Sequence, residues 1–154
     1  MAQDIKTADI AIIGTGPAGI SAAITAKIRN KEILLFGAEP VSSKVAKAHR
    51  ILNYPGLPAV SGEELAQAYK RHLDELQIAI TKKRVHAVYA MGSYFAIQAG
   101  DEQYRADSVI LACGMTADKP FPGENEFLGR GVSYCATCDA QFFKRKDSRS
   151  YRIY

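Results

Sequence analysis

Cys135 and Cys138, separated by Ala136 and Thr137 and followed by Asp139, are the residues of this 154-residue sequence best suited to covalent chemistry. Two thiols at that spacing fit one helical turn, and Ala140 to Phe143 can begin a short helix. One thiolate attacks a disulfide and the other resolves the mixed intermediate. The same spacing is half of a structural zinc site, which needs a second close pair of Cys or His ligands. No such pair follows: Cys113 ends an apolar run, and His49, His72 and His86 lie in three different segments. The pair therefore reads as redox-active and no metal site is expected. Cys113 reads as a small buried apolar residue, and the histidines as structural or exposed. Asp139 has two readings of equal standing, a proton shuttle to a leaving thiolate and a helix-capping carboxylate.

A second constellation lies near the start. Gly14, Gly16 and Gly19 form G-x-G-x-x-G, with Pro17 and Ala18 inside it. The first glycine permits the turn, the second lets a pyrophosphate approach the backbone, and the third packs helix on strand. The helix that follows would hold the dianion with its free N–H groups and positive dipole end, without a basic side chain. Glu39, twenty residues beyond Gly19, is placed to take ribose hydroxyls. Alone, the glycine pattern is often a mere tight turn. Strand, helix, second strand and acid in order favour nucleotide binding.

The elements that must position these groups follow from patterning. Asp9 to Ile13 is a short apolar strand, an Ala- and Ile-rich helix runs over 17–30, and Ile33 to Phe36 is a buried parallel strand. A long connection rich in Pro and Gly spans Gly37 to Gly62 and reads as functional. Ser61 with Glu64 is a capping box, and apolar residues at helical spacing continue to Gln77. Ile78 to Ile80, Val85 to Met91, Tyr94 to Gln98 and Gln103 to Arg105 alternate as a small antiparallel meander. Ser108 to Ala112 reads as a separate strand that re-enters the parallel sheet.

Composition excludes several classes. The chain is 47% hydrophobic and 23% charged, as a globular domain is. Its net charge of +4 comes entirely from residues 144–154, where Lys144, Arg145, Lys146, Arg149 and Arg152 face only Asp147. A short tail is not a phosphate-binding face, so no nucleic acid is expected. No apolar run reaches membrane-spanning length and the start lacks a signal-peptide pattern, so the expected location is cytoplasmic, without membrane contact.

The segments IAIIGTGPAGISAAI, ILNYPGLP, VILACG and GRGVSYCATCDAQFF resemble, in order and spacing, the first half of bacterial thioredoxin reductases, the class II pyridine nucleotide-disulfide oxidoreductases. The resemblance covers about residues 8–143. It implies an α/β class: a Rossmann-like FAD-binding three-layer fold of parallel sheet, helices and small antiparallel meander, incomplete relative to the family. It implies FAD bound by Gly14, Gly16, Pro17, Ala18, Gly19 and Glu39, with Asn53 near the flavin ring, Val85 near adenine, and Ala112 and Gly114 along the FAD chain. Cys135 and Cys138 would exchange electrons with the flavin and pass them to a thioredoxin-like protein. Asp139 matches the family's proton-transfer aspartate. The donor would be ferredoxin or NADPH, and the full-length family suggests a homodimer.

The resemblance also sets the expected organisation: residues 1–115 as the first segment of the FAD domain, 116–143 as the connection with the CxxC motif, and 144–154 as a basic irregular tail. Two departures stand out. PVSSKVAKAHR replaces the glycine-rich turn and Thr run usual after the ribose acid, and looks more like the ferredoxin-linked flavin enzymes of anaerobic bacteria. After Phe143 the family continues into a second nucleotide-binding domain, whereas these residues read KRKDSRSYRIY. The alternative is a truncated, non-catalytic nucleotide-binding fragment. The chain alone is expected to bind FAD weakly or not at all and to lack turnover.

Overall fold

The computed structural model describes residues 5–37, 43–114, 122–127 and 130–132. They divide into two compact units, one from the described residues of Met1–His49 and Ser61–Gly114, the other from those of Arg50–Val60 and Met115–Tyr154.

The first unit is built on a six-stranded mixed sheet. Its strands are β1 (Lys6–Ile13), β2 (Ile33–Phe36), β3 (Ile80–Thr81), β4 (Val85–Ala90), β5 (Phe95–Ala99) and β6 (Glu102–Leu111), in the order β3-β2-β1-β6-β5-β4. Helix α1 (Pro17–Ile28) links β1 to β2, which pair in parallel from Ile10↔Ile33 to Ile13↔Phe36. Three points differ from the sequence expectation. The strand begins at Lys6 rather than Asp9, because β6 offers it pairing partners from Tyr104 onward. Ile80–Thr81 pairs in parallel with β2 at the sheet edge instead of joining the meander. Gln103–Arg105 and Ser108–Leu111 are one strand, antiparallel to β5 on one side and parallel to β1 on the other. Its alternating pattern changes at Asp107, between the two halves.

That change of pattern has a local cause. Asp9 and Ile10 both donate backbone N–H groups to the Glu32 carbonyl, at 3.0 and 3.2 Å, and the β1–β6 register passes over the Asp9 and Asp107 pair. Side chains alternate across a regular strand. Here the alternation resets, so Tyr104 and Ala106 before the irregularity share a face with Ala11 after it. The Asp9 carboxylate accepts the Glu32 N–H at 2.9 Å, and the Asp9 carbonyl accepts the Ser108 hydroxyl at 3.2 Å, which holds the kink. The meander thereby closes over one face of the sheet, and Phe36 meets Tyr104 edge to face with ring centroids 5.0 Å apart. Ala11, Phe36, Ile97, Ala99, Tyr104 and Ala106 form that core.

Further buried apolar residues lie in the strands, as Ile12 and Leu35 do, and in the helices. These include Ile20, Ala23 and Ala26 of α1 and Leu65, Tyr69 and Leu73 of α3 (Gly62–Glu75). The expected capping box is formed: Ser61 Oγ accepts the Glu64 N–H at 3.2 Å and Glu64 Oε2 accepts the Ser61 N–H at 2.8 Å. Both helices stop short of the expected Asn30 and Gln77, which adopt left-handed φ of 57° and 55°. Lys31 N–H bonds the Ala26 carbonyl and Ile78 N–H the Leu73 carbonyl, closing each end in a Schellman motif. Within the long connection a one-turn helix, α2 (Ser43–Ala46), forms on the departing sequence PVSSKVAKAHR.

In the second unit, Ile51 and Val60 form an antiparallel bridge that closes the ILNYPGLP loop, and a short helix, α4 (Glu124–Phe127), follows Gly123. Among the described residues no helix is long and apolar enough to cross a membrane.

Candidate nucleotide-binding turn

The segment from Gly14 to Gly19 connects β1 to α1 at the carboxyl end of the central strands. Gly14 N–H donates to the Phe36 carbonyl and Ala112 N–H to the Ile13 carbonyl, both at 2.8 Å, so the turn is tied to β2 and to the residue after β6. Gly14 has φ +123°, and a β-carbon there would overlap the Ala112 carbonyl. A β-carbon on Gly19 would overlap the Gly14 carbonyl oxygen and stand 3.4 Å from the Ala112 β-carbon. Both glycines are demanded by the chain's own backbone.

Gly16 is different. Its φ of −80° and ψ of −179° suit any residue, and a β-carbon there would meet nothing within 4 Å. It is the N-cap of α1, where Ser, Thr, Asp and Asn are favoured, yet no side chain caps the helix and its first turn holds no acid. Pro17 opens the helix, and Pro17 and Ala18 are exposed. The result is an uncapped helix N-terminus beside a glycine with empty space in front of it, a cradle that a side chain would fill. Such a terminus suits an anion.

The structure thus brings together Gly14, Gly19 and Ala112, with Gly16, Pro17 and Ala18 on the same turn. Gly114 lies just beyond, with φ +66° and open space around it. Val85 begins β4 opposite Ala99, and its half-buried side chain packs on the Phe36 and Tyr104 core. Asn53 is exposed in the loop of the second unit. Glu39, Cys135, Cys138 and Asp139 lie outside the described residues, as do the tail 144–154 and most of 116–143. Cys113, expected to be buried, is an exposed free thiol whose Sγ is 3.7 Å from the Ile13 carbonyl. The apolar run places it on the sheet, but it follows the last paired residue, Leu111, and emerges past the edge of the core. His49, His72 and His86 are exposed, and the described residues contain no cluster able to hold a metal.

Two contributors were missed by motif reading. Gly37 follows β2, and a β-carbon there would crowd Thr15, the buried residue inside the glycine turn. Its N–H donates to the Thr81 carbonyl at 3.2 Å, so the strand end, the turn and β3 meet at one point. A glycine immediately after a short apolar run was the available signal. Gly62 is the second: a β-carbon there would overlap the Val45 carbonyl oxygen of α2, and its N–H donates to the Ala48 carbonyl at 2.8 Å; nothing in its helical pattern marked it.

The comparisons with known proteins agree with this geometry. Residues 8–153 match the family model described as pyridine nucleotide-disulphide oxidoreductase. The chain is 36% identical over 143 residues to a thioredoxin reductase of Bacillus subtilis, covering 92% of this chain and 45% of that protein. It is 40% identical over 140 residues to one of Treponema pallidum, covering 90% and 46%. Among solved structures, a ferredoxin-flavin thioredoxin reductase from Clostridium acetobutylicum superposes with a TM-score of 0.72 at 50% identity, covering 90% of this chain and 48% of that one. A thioredoxin reductase from Streptococcus pyogenes superposes with a TM-score of 0.78 at 33% identity, covering 91% and 46%. The chain therefore spans somewhat less than half the length of these relatives. With its strand, glycine turn and helix in place and nearly its whole length matched, the chain belongs to the pyridine nucleotide-disulphide oxidoreductase family.

Proposed function

We propose that this chain is the FAD-binding first half of a flavin-dependent thiol-disulfide oxidoreductase of the thioredoxin reductase kind. The observation that carries the reading is Gly16, a glycine that the fold does not require, set at an uncapped helix N-terminus between two glycines that it does require. The backbone N–H groups of the Gly14–Gly19 turn hold the pyrophosphate, and Glu39 accepts hydrogen bonds from the ribose. Val85 borders adenine, Ala112 and Gly114 border the FAD chain, and Asn53 borders the flavin ring. When bound, the flavin supplies an electron pair that reduces a Cys135–Cys138 disulfide to two thiols. One of these, as thiolate, attacks a thioredoxin-like disulfide, and the other displaces the reduced partner, which restores the Cys135–Cys138 bond. Asp139 moves the proton to and from the leaving thiolate.

For the full-length protein the proposed donor is ferredoxin, supported by the 50% identity to the ferredoxin-flavin enzyme. A homodimer and a cytoplasmic location belong to the same proposal. Titration of the isotope-labelled chain with FAD and with ADP, followed by amide NMR, tests the core of the reading. Shifts centred on Gly14 to Gly19 and on Ala112 and Gly114 are expected. Shifts elsewhere with this turn silent would overturn it. Reduced ferredoxin, but not NADPH, should bleach the flavin of a full-length relative carrying PVSSKVAKAHR; bleaching by NADPH alone would refute the donor.

A further inference from the structure

Gly37 follows β2 directly and faces Thr15, the second residue of the glycine turn. Its φ lies outside the left-handed region, so conformation does not ask for glycine here. Packing does. A β-carbon at position 37 would overlap Thr15 Cγ2 and stand 2.6 Å from Oγ1 and 3.0 Å from Cβ. Turning χ1 brings no relief. Threonine fills two of its three staggered positions with heavy atoms, and both now face Gly37, so every rotamer keeps at least one there.

Neither partner is free to retreat. On the β2 side, the Phe36 carbonyl accepts the Gly14 N–H at 2.8 Å, and the Gly37 N–H donates to the Thr81 carbonyl at 3.2 Å. On the turn side, Thr15 is buried, and Gly14 before it is bounded by the Ala112 carbonyl. What yields to a methyl group at position 37 is the Thr15 backbone and the peptide it shares with Gly16. That peptide carries the Gly16 N–H, at the uncapped start of α1. Bringing Oγ1 from 2.6 Å out to ordinary contact at 3.4 Å takes 0.8 Å. Binding groups must be held to within about 0.5 Å of their productive geometry, so a shift of that size misplaces a donor. We propose that Gly37 is a positioning residue for the anion site: by leaving room for Thr15 against the end of β2, it fixes where the Thr15–Gly16 peptide stands. This rests on the nucleotide-binding reading above.

ADP titration of the full chain, read from folded-state amide resonances, tests the proposal. These resonances report only folded molecules, so a mere loss of stability leaves the measured affinity unmoved. Gly37→Ala is expected to displace the Thr15 and Gly16 amide signals of the free chain and to weaken ADP about five-fold or more. With Thr15→Ala present, which removes both γ atoms, the same change is expected to cost less than about two-fold. Wild-type ADP affinity in Gly37→Ala overturns the proposal, as does an equal loss in both backgrounds, which would show Gly37 acting by a route other than Thr15. Should Gly37→Ala fail to fold, Thr15→Gly removes the seated side chain without adding an atom. That variant is expected to weaken ADP about three-fold, and unchanged affinity refutes the seat. A wild-type chain whose turn amides ignore ADP is a different outcome, which removes the nucleotide reading and this one together.

Discussion

Adding a single methyl group at Gly14 and at Gly16 should separate what the fold needs from what a ligand needs. At Gly14 an alanine must adopt φ +123°, a region costing of order 1–3 kcal/mol, and must clear the Ala112 carbonyl, an overpacking of similar size. Gly14→Ala is therefore expected to lose at least about 3 kcal/mol of stability, which for a chain of this size lowers Tm by about 10 °C. At Gly16 the alanine meets nothing within 4 Å. Its weaker N-capping costs several tenths of a kcal/mol, and the reduced entropy of the unfolded chain returns about as much. Gly16→Ala should melt within about 2 °C of wild type. It should nevertheless weaken ADP by about 10- to 100-fold, the worth of one charge-assisted hydrogen bond blocked by the methyl group. Circular dichroism melts and the NMR titration read the two effects independently. A Gly16→Ala protein that melts like Gly14→Ala, or binds ADP like wild type, would refute the reasoning.

The capping box and the meander offer further checks. Ser61→Ala should cost about 1 kcal/mol by urea denaturation, with α3 amides exchanging faster. Hydrogen bonds from the Ser61 backbone and hydroxyl hold the Glu64 carboxyl below its ordinary value. Its contribution is therefore complete above the unfolded carboxylate pKa and is lost as pH falls through the lowered folded value; a Glu64→Gln variant should show a flatter stability profile below about pH 5. Tyr104 is raised above its ordinary value by burial and by its hydrogen bond to Glu102, and Lys83 is raised chiefly by its bond to Glu102. Both favour the protonated folded form, so this stabilisation holds below their unfolded values and fades as pH rises through the folded ones; Tyr104→Phe should remove part of the alkaline loss in melts above about pH 9.5. In a Cys135→Ser, Cys138→Ser protein, the exposed Cys113 should react with one equivalent of Ellman's reagent without denaturant, and slow reaction would show it buried.

Local rules recovered the elements whose signals are local. The capping box was readable because its two partners sit three residues apart, and β2 because a buried parallel strand is continuously apolar. What escaped depended on partners distant in sequence. The run from Glu102 to Leu111 was divided because its alternation breaks at Asp107, and only the matching irregularity at Asp9, set by Glu32 across the sheet, makes it one strand. Ile80 adjoins the meander in the chain, whereas its pairing with Leu35 joins it to the parallel edge. Cys113 is exposed although it ends an apolar run, because strand pattern reports the side chain's polarity and not where the covering layer ends.

The glycine turn shows how structure adds to a motif. In sequence the three glycines are equivalent letters of one pattern, and a tight turn would account for all of them. In three dimensions they separate: Gly14 answers to the Ala112 carbonyl, Gly19 to the Gly14 carbonyl, and Gly16 to nothing in the chain. A glycine that neither conformation nor packing requires, at a helix start that ordinarily favours a polar cap, points to a group approaching from outside. Gly62 is the converse case, invisible as a motif and demanded by α2. The first position can therefore take a methyl group without displacing its neighbours, whereas at the second the methyl must push back the Val45 backbone. This asymmetry lets binding and stability be measured apart in a chain where both rest on glycine.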